Sequence, residues 1–160
     1  MDLHDLRNKG CDELDAMFQA ADPPSLEELD GDYDGLLLAG NFPPAPKHFP
    51  IAIVNQPWLP WKGKVFYPSV GGRGKGANRF AAGRFRREIW PFETRVGSSH
   101  LDDGDSLLID YDVPGNPFWL KRGTFDELRK LGEGLYLGKG GVLVLGHKRF
   151  VFMWALQPAL

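Results

Sequence analysis

The sequence predicts a mainly β fold, a single antiparallel barrel of about eight to ten strands behind an N-terminal helical cap. Three observations carry that expectation. From Leu36 onward, short aromatic and aliphatic runs are separated by Pro, Gly and Asn clusters; apolar and polar side chains alternate along Trp90–Gly97 and Asp105–Val113; and helical spacing is confined to residues 1–30 and one later segment.

Residues 1–30 form the cap. Leu14, Met17 and Phe18 recur at i, i+3 and i+4, and Asp12, Glu13 and Asp15 suit the early turns of a helix. Asp22-Pro23-Pro24 stops that helix, and Ser25 with Glu28 has capping-box spacing for one further turn ending near Gly31. The barrel occupies residues 31–160, and no composition shift marks a second domain. Its early runs are LLLAG, IAIV and GKVFY, and the prolines from Pro43 to Pro68 argue against long helices there. Gly71-Gly72-Arg73-Gly74-Lys75-Gly76 reads as a surface hairpin loop, because Ala77-Asn78 stand where a phosphate-binding loop needs Lys and Ser or Thr.

Strands are expected at Asn78–Phe85 and Trp90–Gly97, the second joined to Asp105–Val113 by an Asp-Gly turn. Leu107, Ile109 and Tyr111 then share one face, with Ser106, Leu108, Asp110 and Asp112 on the other. Beyond Pro114-Gly115-Asn116-Pro117, a short helix is expected near residues 124–131. Thr124 and Glu127 repeat the capping-box spacing, Phe125, Leu128 and Leu131 share a helical face, and Gly132 supplies the stop. Gly134–Lys139, Val142–Leu145 and Arg149–Leu156 complete the strands.

Length and composition fit one globular domain: 160 residues, 42% hydrophobic and 12% aromatic, enough to bury a core without staples. The single cysteine, Cys11, makes no internal disulfide. No apolar run approaches a membrane span and the first residues lack the order of a secretory signal, so a soluble cytoplasmic protein is expected. A homodimer is compatible with this composition. Net charge is only −2, but residues 1–46 carry eleven acids and two bases, residues 47–100 two acids and ten bases, and the remainder eight acids and seven bases, giving −9, +8 and −1. Either the acidic start lies across the basic middle, or Arg73, Lys75, Arg79, Arg84, Arg86, Arg87 and Arg95 form a face for an anionic partner, a membrane or a nucleic acid. A whole-chain pI near 6.1 weighs against nucleic acid.

The strand count and the many aromatics point to a lipophilic small molecule, fatty acid, isoprenoid or similar, held inside the barrel. Arg95 and Tyr111 are the expected anchors for a carboxylate or carbonyl head, with Trp90, Phe92, His100 and Asp110 around them. The alternative is a barrel enzyme in which His100 or Asp110 abstracts a proton and Tyr111 donates one. No metal site is expected, since His4, His48, His100 and His147 are scattered and none pairs with another His or with Cys at ligand spacing.

Two stretches carry a family resemblance. Gly31-Asp32-Tyr33-Asp34-Gly35 stands where the first strand begins, Arg149 stands on the last, and hydrophobic strand, Asp110-Tyr111-Asp112, proline turn, helix and Gly134-Leu135-Tyr136-Leu137-Gly138 follow in order. In this the chain resembles the lipocalin-like (calycin) barrels with a GXWXG motif, among them nitrobindin-like and fatty-acid-binding-like proteins, with Tyr33 in place of the Trp. The resemblance implies barrel closure by Gly31, Tyr33, Gly35 and Arg149. Its nitrobindin-like branch implies a haem reading with His147 as the axial ligand, against the expectation of no cofactor.

Overall fold

The structure is a computed structural model that describes residues 1–40, 61–144 and 147–160, the side chains of 142–144 and 147–151 excepted. Eight antiparallel strands close into a barrel in sequence order: β1 (Gly31–Gly40), β2 (Trp61–Val70), β3 (Arg73–Ala82), β4 (Phe85–Ser98), β5 (Asp105–Asp110), β6 (Thr124–Gly132), β7 (Leu135–Val144) and β8 (His147–Pro158). Closure comes from β1 on β8, where Tyr33 faces Pro158 and Gly40 faces Phe152. It removes the unpaired edges an open sheet would expose.

The hairpin turns explain where several expected boundaries moved. Gly71 and Gly72 both adopt positive φ, +63° and +74°, and form a two-residue turn, so Arg73–Gly76, expected in a loop, already belongs to β3. Gly83 at φ +58° turns the chain again, which splits the expected strand Asn78–Phe85 between β3 and β4. Toward the end of the chain, the runs expected at Gly134–Lys139 and Val142–Leu145 meet in the single strand β7, Leu135–Val144, with Leu145 outside the described residues. The expected run at Ile51–Val54 and the prolines from Pro43 to Pro60 lie outside the described residues.

The expected helix near residues 124–131 is strand β6 instead, paired with β5 through Leu107–Leu128 and with β7 through Leu128–Gly138. The late helix, α3, lies just before it at Phe118–Gly123, with Pro117 at its N-cap. Strand pairing on both sides outweighs the local capping pattern.

Two apolar layers hold the barrel. Inside it, Tyr33, Phe66, Phe92, Leu107, Ile109, Leu128, Tyr136 and Trp154 form the main core. Outside it, α1 (Leu3–Arg7) and α2 (Cys11–Gln19) press Leu6, Leu14 and Phe18 onto Leu38, Leu135, Leu137, Met153 and Ala155, the outward side chains of β1, β7 and β8. The helical segment therefore covers the barrel wall. What plugs one end is the 3-10 turn at Leu26–Glu28: Leu26 and Leu29 join the inner core, and the Tyr33 hydroxyl donates to the Glu28 carbonyl at 3.1 Å.

Among the described residues, the acidic start pairs within itself and with β3, β6 and β7. Lys130 bonds Glu28 at 2.6 Å, Lys139 pairs with Asp15, and Arg129 donates to the Phe18 carbonyl at 2.9 Å while standing over the Phe18 ring. Among the described residues of the basic middle, Arg79 alone takes part, reaching Asp32 and Asp34 at 3.4 and 3.2 Å.

Inside the barrel, large rings lie across glycines of the neighbouring strand. Trp154 faces Gly138, Phe152 faces Gly140 and Phe92 faces Gly76, and a Cβ at those glycines would come within 2.3 to 2.4 Å of a ring or a polar neighbour. Gly138→Ala is expected to lower stability by about 1–3 kcal/mol in urea titration, because the Trp154 ring must move. Gly132→Ala, where a Cβ meets no atom within 4 Å, should fall within about 0.5 kcal/mol of the parent.

Candidate functional site: an aromatic cavity with a charged floor

At the barrel end opposite the 3-10 plug is a cavity of about 350 Å³. Its walls are apolar: Leu37 from β1, Trp61 from β2, Phe80 from β3, Trp90 from β4, Trp119 and Leu120 from α3, and Phe152 from β8. Trp90 stands edge-on to both Phe80 and Trp119, with centroids 5.1 and 5.6 Å away. Trp90 is also the one non-glycine residue at positive φ (+56°) among the described residues. It sits where the β3–β4 register slips between Gly76–Phe92 and Asn78–Ile89, a bulge that turns its ring to the cavity.

The floor is polar and holds a paired lysine and aspartate. Lys64, 2% exposed, points inward from β2 and donates to Asn78 Oδ1 at 3.0 Å, the Tyr111 hydroxyl at 2.7 Å and Asp126 Oδ2 at 2.9 Å. Tyr111 in turn donates to Asp126 Oδ2 at 2.7 Å, and Asn78 Nδ2 donates to Tyr111 at 3.1 Å. Trp61 Nε1 donates to Asn78 Oδ1 at 3.1 Å, tying wall to floor. The ammonium also lies 4.8 to 5.4 Å from the ring centroids of Trp154, Phe92 and Tyr111. Two buried floor atoms have no hydrogen-bond partner: Asp126 Oδ1, an acceptor, and Trp154 Nε1, a donor.

Burial pushes the Lys64 ammonium below the ordinary lysine range, with Asp126 pulling the other way, and burial followed by the Asp126 charge raises Tyr111 well above the ordinary tyrosine range. Tyr33 and Tyr136 are raised mainly by burial, and Tyr67 is pushed up to about 12 by its hydrogen bond to Glu88.

Of the six residues expected around a ligand, Tyr111 and Trp90 line the cavity and Phe92 packs in the core beside Lys64. The other three lie elsewhere. Arg95 is on the outward side of β4, opposite Leu108; Asp110 is exposed at the end of β5, where it caps the Asp112 amide at 2.8 Å. His100 is exposed in the β4–β5 loop, its backbone amide held by the buried Glu127 at 2.6 Å. Strand parity is the cause for Arg95 and Asp110, since a barrel sends alternate side chains out. The expected acid-base set His100, Asp110 and Tyr111 is therefore not assembled.

Nor does register bring the expected closing set together. Tyr33 is buried against Phe66 and Tyr136, and Gly35 lies under the Trp61 ring, but Tyr33 is opposite Pro158 while Arg149 is near the other end of β8. Gly31 opens β1 at φ +86°. The side chains of Arg149 and of His147, the candidate haem ligand, lie outside the described ones. In the basic segment Arg73 approaches Glu93 at 3.7 Å, while Lys75, Arg84, Arg86, Arg87 and Arg95 are exposed.

Fold and site together define a closed, eight-stranded, sequentially wound antiparallel barrel with a cavity at one end. A solved protein from Thermomonospora curvata has a similar structure, with a TM-score of 0.62 and 12% identity over 98% of this chain and 93% of that one, a likeness of fold alone. No known family's sequence profile and no curated protein matches the chain.

Two measurements test the floor. Lys64→Met leaves Asp126 buried without its counter-charge and is expected to cost about 3–5 kcal/mol in denaturant titration, much of it recovered in Lys64→Met/Asp126→Leu. All four tyrosines hold their protons longer in the folded protein than in the unfolded chain. The unfolded state therefore binds fewer protons above about pH 10, so these groups lower stability as pH rises through that value; Lys64, shifted downward, acts with opposite sign. Tyrosinate absorbance should stay absent from the native protein near pH 10 and appear only together with unfolding, as followed by far-UV circular dichroism.

Proposed function

We propose that this protein binds a lipophilic small molecule in the aromatic cavity, as lipocalin-like barrels do, and acts as a carrier or sensor of it in the cytoplasm. The carrying observation is the combination of an apolar, tryptophan-rich wall with a small set of convergent polar groups at the bottom, in a cavity of about 350 Å³. Trp61, Trp90 and Trp119 supply rigid apolar area, and Lys64, Tyr111, Asn78 and Asp126 supply orientation. Trp119 is 58% exposed and Phe118 75%, so α3 offers an apolar ring face beside the cavity for a ligand arriving from water.

An extract of the freshly purified protein analysed by native mass spectrometry, before and after solvent stripping, should show a bound mass lost on stripping. Quenching of tryptophan emission by an apolar probe provides the affinity. Phe80→Arg, which places a charge in the wall, is expected to weaken that probe at least tenfold, whereas Arg95→Ala, outside the barrel, leaves it unchanged. Equal affinity of Phe80→Arg and the parent would remove the cavity from the proposal.

A further inference from the structure

If the cavity is the binding site, its floor decides which head group enters. Lys64 and Asp126 are the only residues with formally charged side chains among the described residues lining it, and they stand 2.9 Å apart. Whichever of the two holds the shared proton, their total charge is zero. The Lys64 donors already point to three acceptors, Asn78, Tyr111 and Asp126, so no N-H is left for an incoming anion. Among the described cavity-lining residues, two buried side-chain atoms lack a partner: a carboxylate oxygen, Asp126 Oδ1, and an indole N-H, Trp154 Nε1.

From this we propose that the ligand class is a neutral lipophile whose head both donates and accepts a hydrogen bond, a hydroxyl or a primary or secondary amide, with carboxylates excluded. A hydroxyl or such an amide carries the kind of donor that Asp126 Oδ1 lacks and the kind of acceptor that Trp154 Nε1 lacks, and it brings no charge. A carboxylate matches neither need. It brings an uncompensated charge into an apolar site, offers no donor to Asp126, and can recruit Lys64 only by breaking a bond to Tyr111, Asn78 or Asp126. The same arithmetic disfavours an aliphatic ammonium, whose extra positive charge sits beside Lys64.

The test is a series with one ring system and different heads: naphthalenemethanol, naphthoate and methylnaphthalene, titrated against tryptophan emission at about pH 8, where naphthoate is ionised. The alcohol is expected to bind at least tenfold tighter than naphthoate and severalfold tighter than the hydrocarbon. Naphthoate binding as tightly as the alcohol, or the hydrocarbon equalling it, overturns the head-group assignment while leaving the cavity reading intact. Failure of all three probes to bind overturns the cavity reading, and this assignment with it. Asp126→Asn removes the carboxylate that accepts from an alcohol and repels an anion, and naphthoate should then gain at least tenfold relative to the alcohol; an unchanged ranking in folded Asp126→Asn counts against the assignment. Should that variant not fold, the ranking in the parent protein still decides.

Discussion

An ammonium and a carboxylate enclosed by aromatic rings are tolerable only together, and the position of each is fixed by a different part of the sheet. Lys64 comes from β2 and Asp126 from β6, so the pair meets only when the barrel is closed around it. Tyr111 and Asn78 join from the end of β5 and from β3, which makes the floor a single hydrogen-bonded unit spanning half the circumference. Desolvating two ions is costly even when they are paired, so the cluster's contribution is best seen in specificity of arrangement. A strand slipped by one residue would turn either ion out of the barrel and strand its partner.

The glycines and the rings form a second constraint that the floor relies on. Trp154 packs flat on Gly138 and supplies the face over which Lys64 sits, while Gly140 leaves space for both the Phe152 ring and Asp126 Oδ1. Glycine within strands is ordinarily a weakening choice, since it adds chain entropy and buries no side chain. Here it lets bulky rings lean across the barrel interior and narrow it, which is how a barrel of eight strands keeps a filled half and a hollow half.

Much of the architecture was legible in the sequence. Leu107, Ile109 and Tyr111 recur at a period of two, and that spacing placed Tyr111 inward with them, although Leu108 on the other face is apolar and buried as well. β6 hid itself. Asp126 and Leu128 point in while Glu127 and Arg129 point out, yet all four are buried, because α2 and the β4–β5 loop cover the outside. A strand buried on both faces and charged on both faces has no period-2 pattern to read, and the capping-like Thr124–Glu127 spacing filled the gap. Lys64 was equally silent: a lone base in GKVFY looks like an exposed position, and nothing local connects it with an aspartate 62 residues away. Arg95 was the more visible base, and parity sends it to solvent.

The order of strands around the barrel has a kinetic side. Each strand from β2 to β7 pairs with its sequence neighbours, and β2 with β3, β3 with β4 and β6 with β7 do so across short turns, but β1 must find β8 from the far end of the barrel sequence. The apolar faces of α1 and α2 rest on β1, β7 and β8, so Leu6, Leu14 and Phe18 have their full landing site only once that last pairing exists. Made before every strand of the barrel, they dock only after the last of them is in place. Seam closure and helix docking thus become one cooperative event, and a segment that precedes the strands acts as the latch for their final pairing.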